Sequence, residues 1–181
     1  MKQSDEELRV LCVEGNNEAQ SEIYKRFAPK FWGICLRYAK NRMSAEDIMQ
    51  EGFIRIFRYM DKYSGKGSFE GWMRRIMVNN AINYYKKNLS SKKETEFQDY
   101  MGGQAYDADA ISSMSYDEIL ATLQTLPDGY RTVFNMYVIE GYSHKDIAKE
   151  LNISENTSKS QLSRARSSLK EKLSKDYGID E

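Results

Sequence analysis

The sequence predicts an all-α protein of two small helical domains joined by a flexible acidic linker. Apolar residues recur at three- and four-residue spacing, with no strand-like alternation. Hydroxyl and acidic residues three apart mark helix starts, and charge is divided sharply along the chain. The 181 residues hold 27 Lys and Arg against 27 Asp and Glu. Residues 1–93 carry 18 bases and 11 acids, residues 94–118 seven acids and no base, and residues 119–181 nine of each. Such different fields belong to separate surfaces, which sets the expected limits of a first domain (1–93), a linker (94–118) and a second domain (119–181).

Each element has a local reason. Ser4 with Glu7 caps a first helix, which Gly15 stops. A second segment, 17–40, carries Ile23, Phe27, Phe31, Ile34 and Leu36, and Pro29 is expected to kink or divide it because it lacks a backbone donor. Ser44 with Asp47 is expected to cap a third helix, about 45–60. The turn YSGKGS at 63–68 separates it from a fourth, about 69–87. Residues 94–118 show no periodicity until near their end. Beyond them come an apolar segment at 119–126, a break at Leu126-Pro127, a helix at about 129–140 stopped by Gly141, and helices at about 144–151 and 155–173.

Composition narrows the function. No apolar run approaches the roughly 18 residues of a membrane span, and the amino-terminal MKQSDEELRV is acidic where a secretory signal is basic. A soluble, cytoplasmic protein without direct membrane insertion is expected. Cys12 and Cys35 sit in apolar helical patterns without metal-ligand spacing, and His144 is the single histidine. A zinc site or a serine or cysteine triad has little to draw on, which argues against several large enzyme classes; no metal, cofactor or small-molecule substrate is expected. His144, in the first turn of its helix, is expected to be exposed and non-catalytic.

Three constellations remain. In the last fifty residues Ser143 with Asp146 forms a capping box, Ile147, Ala148, Leu151 and Ile153 supply a small apolar core, and Ser154 caps the next helix. That is a helix-turn-helix layout, and between Lys159 and Lys175 its second helix carries Lys159, Arg164, Arg166, Lys170, Lys172 and Lys175 against Glu171 alone, donors suited to phosphates and base edges. On the helix from 69 to 87, a projection at about 100° per residue puts Trp72, Arg75, Asn79, Asn83 and Lys86 on one stripe, with Met73, Met77, Ala81 and Tyr84 facing inward. An aromatic that stacks, amides that read base edges and cations that hold a backbone suit unpaired bases. On the helix from 45 to 60, Met49, Phe53, Ile56, Phe57 and Met60 form the buried face, opposite Asp47, Gln50, Glu51, Ile54, Arg55 and Arg58. Ile54, with Ile48 at the edge, gives that polar face an apolar centre suited to a helical partner.

The order AEDIMQEGFIRIF, the Gly-Ser turn, FEGWMRRIMVNNAINYYKK, an acidic linker and LPDGYRTVFNMYVIEGYSHKDIAKELNISENTSKSQLSRARSSLKEKL resembles a bacterial RNA polymerase sigma factor of the extracytoplasmic function group, over about residues 5–175. The resemblance implies a region 2 helical bundle that binds core polymerase and the minus-ten element, and a region 4 helix-turn-helix that reads the minus-thirty-five element. It makes Asp47, Ile48, Gln50, Glu51 and Ile54 contacts to core RNA polymerase. Ser68, Phe69, Trp72, Arg75, Asn79, Asn83 and Lys86 become the minus-ten surface. Ser154, Thr157, Lys159, Ser160, Ser163, Arg164 and Arg166 become the minus-thirty-five surface. Partners implied are core polymerase, promoter DNA and an anti-sigma protein.

The chain departs from the family pattern at Ser158, where an apolar residue is usual, and at Gln161, where a basic one is usual. The first is expected to loosen packing of the recognition helix and the second removes a cation. Two competing readings make different predictions. A homodimeric helix-turn-helix regulator would bind a palindrome tightly without polymerase. A DNA-processing enzyme would need clustered acids, for which Asp47 with Glu51 is the only helical pair to nominate. In the sigma reading the linker's acids suit a basic channel on polymerase. Replacing all seven with neutral residues is therefore expected to lower run-off transcription, and unchanged transcription would remove the electrostatic role.

Overall fold

The computed structural model describes residues 3–91 and 115–177, all of its regular structure helical. Backbone contacts divide the chain into one unit of Met1–Tyr84 and a second of Tyr85–Glu181. Most of the predicted linker, 94–114, lies outside the described residues. Its last residues do not belong to a linker, because Ser115 caps a helix and Glu118 completes the capping box.

In the first unit, α1 (Asp5–Val13) starts at the Ser4–Glu7 capping box, and Gly15 leaves it at φ +84°. The second helix, α2, runs unbroken over Asn17–Tyr38. Pro29 does not divide it: one missing ladder bond is outweighed by Phe27 and Phe31, both buried on the core face. Helix α3 spans Arg42–Arg58. It begins one turn earlier than expected, because the Asn41 side chain accepts from the Ser44 N–H at 2.9 Å and so takes the capping position assigned to Ser44. A short 3-10 turn, Met60–Lys62, leads to the glycine turn, where Gly65 and Gly67 both take positive φ. Helix α4 covers Phe69–Ser91, longer than predicted, with Met73, Met77 and Ala81 buried as its projection requires.

At the α3–α4 contact the Met77 side chain lies against the α3 backbone. A Cβ on Gly52 would stand 2.6 Å from Met77 Cε, so any larger residue there requires the thioether to shift. Beside it, buried Asn80 donates from Nδ2 to the Ile48 carbonyl oxygen at 2.9 Å. These contacts turn the buried face of α3 toward Ala45, Ile48 and Gly52, and Ile48 is fully buried. Its expected place at the edge of the polymerase-facing surface is therefore wrong.

In the second unit, α5 (Tyr116–Gln124) and α6 (Asp128–Phe134) are followed by a π-helical turn, Asn135–Ile139, and Gly141 at φ +74°. Leu123, Leu126 and Ala165 form a small core with Ile119, Tyr130, Phe134 and Leu169 against it. Arg131, almost wholly buried, donates to the Leu126 carbonyl at 2.8 Å and to Asp128 Oδ1 at 2.7 Å, clamping the α5–α6 turn. Helices α7 (His144–Leu151) and α8 (Glu155–Tyr177) complete the unit, joined through Asn152 in the left-handed region at φ 55°. That residue type tolerates the conformation better than other non-glycines.

Substituting Gly52→Ala is expected to cost the first unit about 1–3 kcal/mol through overpacking. Both tryptophans, Trp32 and Trp72, lie in that unit, so urea unfolding followed by tryptophan fluorescence reads it directly. An unchanged midpoint would show that the α3–α4 approach can widen freely.

Candidate polymerase and nucleic-acid interfaces

On α3 the outward face is largely as the helical projection requires. Asp47, Gln50, Glu51 and Ile54 are exposed, with Ile54 56 % accessible, and Arg55 donates to Glu51 Oε1 at 2.7 Å. An exposed isoleucine framed by carboxylates and an ion pair gives a partner an apolar anchor within a polar rim. Ile48 supports this face from beneath through its packing.

The start of α4 is built from aromatic rings. Phe69 and Trp72 stack with centroids 5.9 Å apart and planes at 11°, and Tyr63 lies 5.2 Å from Phe69 and 5.6 Å from Trp72. Tyr63 also donates its hydroxyl to the Gly67 carbonyl at 2.7 Å, tying the glycine turn to the cluster. The sequence pattern gives Tyr63 no role, although its place at the head of YSGKGS is the signal for it. Ser68 caps α4 by accepting from the Gly71 N–H at 2.9 Å, so its hydroxyl is engaged locally. Arg75 and Asn79 are exposed, Trp72 and Asn83 half-buried, and Asn80, one position along, is the core amide. Lys86 belongs by contact to the second unit, where it pairs with Glu150 at 3.0 Å. It is half-buried and already has a carboxylate partner, unlike the open phosphate contact expected of it.

In the second unit the Ser143–Asp146 capping box is present, and Ser143's hydroxyl and N–H hold the Asp146 carboxyl below its ordinary pKa. Ser154 caps α8 by accepting from the Thr157 N–H at 2.9 Å, and the two hydroxyls lie 2.8 Å apart. These two residues therefore set the start of the recognition helix. Lys159, Ser160 and Arg166 are exposed, whereas Ser163 and Arg164 are half-buried. Arg164 reaches the Tyr130 hydroxyl at 3.4 Å. His144 is not freely exposed: its Nδ1 lies 2.9 Å from the hydroxyl of fully buried Ser158.

Among the described residues no helix is long and apolar enough to cross a membrane. Two family models match in chain order: Sigma-70 region 2 over residues 23–90 and Sigma-70, region 4 over residues 114–169. The chain is 27 % identical to the RNA polymerase sigma-H factor of Pseudomonas aeruginosa, over 95 % of each protein. It is 30 % identical to the ECF RNA polymerase sigma factor SigM of Bacillus subtilis, over 82 % of this chain and 91 % of that one. The solved structure of CnrH in complex with the cytosolic domain of CnrY is 20 % identical, spans 95 % of this chain and 98 % of its own, and superposes with a TM-score of 0.49. With both regions matched in order and a 30 % identical relative along most of its length, the chain belongs to the extracytoplasmic function group of the sigma-70 family, whose members dock on core RNA polymerase, recognise promoter DNA and direct transcription initiation.

Proposed function

We propose that α3 docks core polymerase through Asp47, Gln50, Glu51 and Ile54, that the Trp72–Asn79 face of α4 takes unpaired bases of the minus-ten element, and that α8 reads the minus-thirty-five element. The observation that carries the docking role is Ile54, more than half exposed on a face otherwise polar and charged. Support for the minus-ten role comes from an aromatic platform, Tyr63–Phe69–Trp72, next to exposed Arg75 and Asn79. Base stacking on such a ring contributes about 1–3 kcal/mol and tolerates any base. Lys159 and Arg166 are outward donors of α8, Ser160 is exposed with its hydroxyl donating to the Thr157 carbonyl at 3.0 Å, and Ser154 and Thr157 fix the helix start.

In this reading the first domain ends within α4 near Tyr84, the second begins at the end of that helix, and the acidic stretch 94–114 joins α4 to α5 in the sequence. The protein contributes no catalytic residue, since polymerase carries out the chemistry. It works in the cytoplasm and is held in check by an anti-sigma protein.

Substituting Ile54→Glu places a charge at the centre of the docking face. Gel filtration with bacterial core polymerase should show loss of co-elution, while the circular dichroism spectrum stays native because Ile54 is not in the core. Co-elution equal to the native chain would overturn the docking assignment. Trp72→Ala should keep co-elution but lower open-complex formation by about tenfold, the loss of one stacked base. Equal permanganate reactivity of the melted strand with both proteins would remove Trp72 from the minus-ten role.

A further inference from the structure

Three elements of the second unit meet at one imidazole. His144 is the first residue of α7, its backbone fixed by the capping box just before it. Its ring stacks on Tyr137 of the π-helical turn, with centroids 4.4 Å apart and planes at 24°. Its Nδ1 lies 2.9 Å from Ser158 Oγ, in the first turn of α8, and Ser158 has no solvent exposure. The other buried residues of the paired helices include apolar Ile147 and Leu151 of α7 and Leu162 of α8. Apolar contacts are nearly isotropic and let one helix rotate slightly on the other, whereas a buried hydrogen bond is directional and penalises rotation.

We propose that the His144–Ser158 hydrogen bond, backed by the Tyr137 ring, is a positioning clasp that fixes the rotation of the recognition helix and so sharpens its reading of the minus-thirty-five element. Lys159 and Ser160 follow Ser158 directly on α8 and are exposed, so a rotation about the helix axis moves both together. The clasp also accounts for a serine at a buried position: its hydroxyl has a partner, and His144 supplies it. The imidazole is held neutral, chiefly by burial and then by the nearby Lys159 cation, with Arg166 acting in the same sense and Glu155 opposing. The proposal rests on α8 being the minus-thirty-five reader.

The test uses the full chain with core polymerase, on a promoter recovered from genomic fragments and on copies with single base substitutions in the minus-thirty-five element. The readout is the ratio of run-off transcripts from cognate and substituted promoters at sub-saturating protein. That ratio does not depend on how much of a variant is folded, so a purely stabilising role leaves it unchanged. His144→Phe keeps the ring and loses the nitrogen, and Ser158→Ala loses the hydroxyl. Each should lower the ratio by about three- to tenfold, the range expected for one buried hydrogen bond. His144→Asn, whose amide places a polar atom near the position of Nδ1, should retain most of it. The double variant should be no worse than either single, because both break the same bond. Undiminished ratios in the single variants, or losses that add in the double, would overturn the clasp. A native chain indifferent to the base substitutions would instead overturn the reading of α8.

His144 is the single histidine of the chain, which makes a pH measurement specific. Its pKa is depressed below 6.5 in the fold, so the unfolded chain takes up the proton first as pH falls. The native chain should lose stability relative to His144→Phe as pH drops from about 6.5 through the depressed value. A difference that stays constant across that window would contradict a neutral, clasped imidazole.

Discussion

The contact of α3 with α4 through Gly52, Met77 and Asn80 is the constraint on which the first unit depends. Gly52 admits the Met77 thioether, and Asn80 closes the contact on the Ile48 carbonyl with a buried, directional hydrogen bond. The proposed docking residues lie on the outward face of α3, and Phe69, Trp72 and exposed Asn79 lie on α4. In the proposed function, this contact sets the geometry between polymerase docking and base capture. Behind it, Cys35 Sγ sits 3.7 Å from Met77 Sδ, and burial pushes the Cys35 thiol up to about 12. That cysteine is a packing residue with no thiolate to offer near neutral pH.

Rigidity matters because the energy available to the protein is small. Opening about ten base pairs costs roughly 1.4 kcal/mol per stacking step. Capturing one or two bases on an aromatic platform returns only about 1–3 kcal/mol each. The chain cannot open a promoter by itself, and the remainder must come from polymerase. Coupling the two faces through one helix pair puts captured bases in register with the docked enzyme. The second unit answers a different demand, since its reader must present donors to duplex DNA at a fixed rotation. Caps at Ser143 and Ser154 and the buried Arg131 give it that order at small size.

Much of this was legible in the sequence where the signal is local. The capping boxes at Ser4 and Ser143, the positive-φ stops at Gly15 and Gly141, and the inward face of α4 all follow from spacing and backbone chemistry. What escaped depends on contacts distant in the chain. Ile48 reads as a boundary residue until Gly52 is seen to admit Met77, which swings the buried face of α3 by part of a turn. Pro29 reads as a helix breaker until the aromatic residues on its own helix are seen in the core. Asn41 and Ser44 are both good caps one turn apart, and sequence alone does not rank them. Ser158 reads as a packing defect until His144, fourteen residues earlier, supplies its partner.

In the proposed function the chain supplies the promoter-reading surfaces, but tight promoter binding requires core polymerase. The most direct test of that requirement is binding of fluorescent promoter DNA by the full protein, with and without core polymerase, over a range of salt concentration. The account predicts weak binding by the free chain, with a shallow salt dependence set by the few exposed cations of α8, and tight promoter-selective binding once core enzyme is present. Tight, sequence-selective binding by the free chain as a homodimer, unaffected by core polymerase, would contradict it.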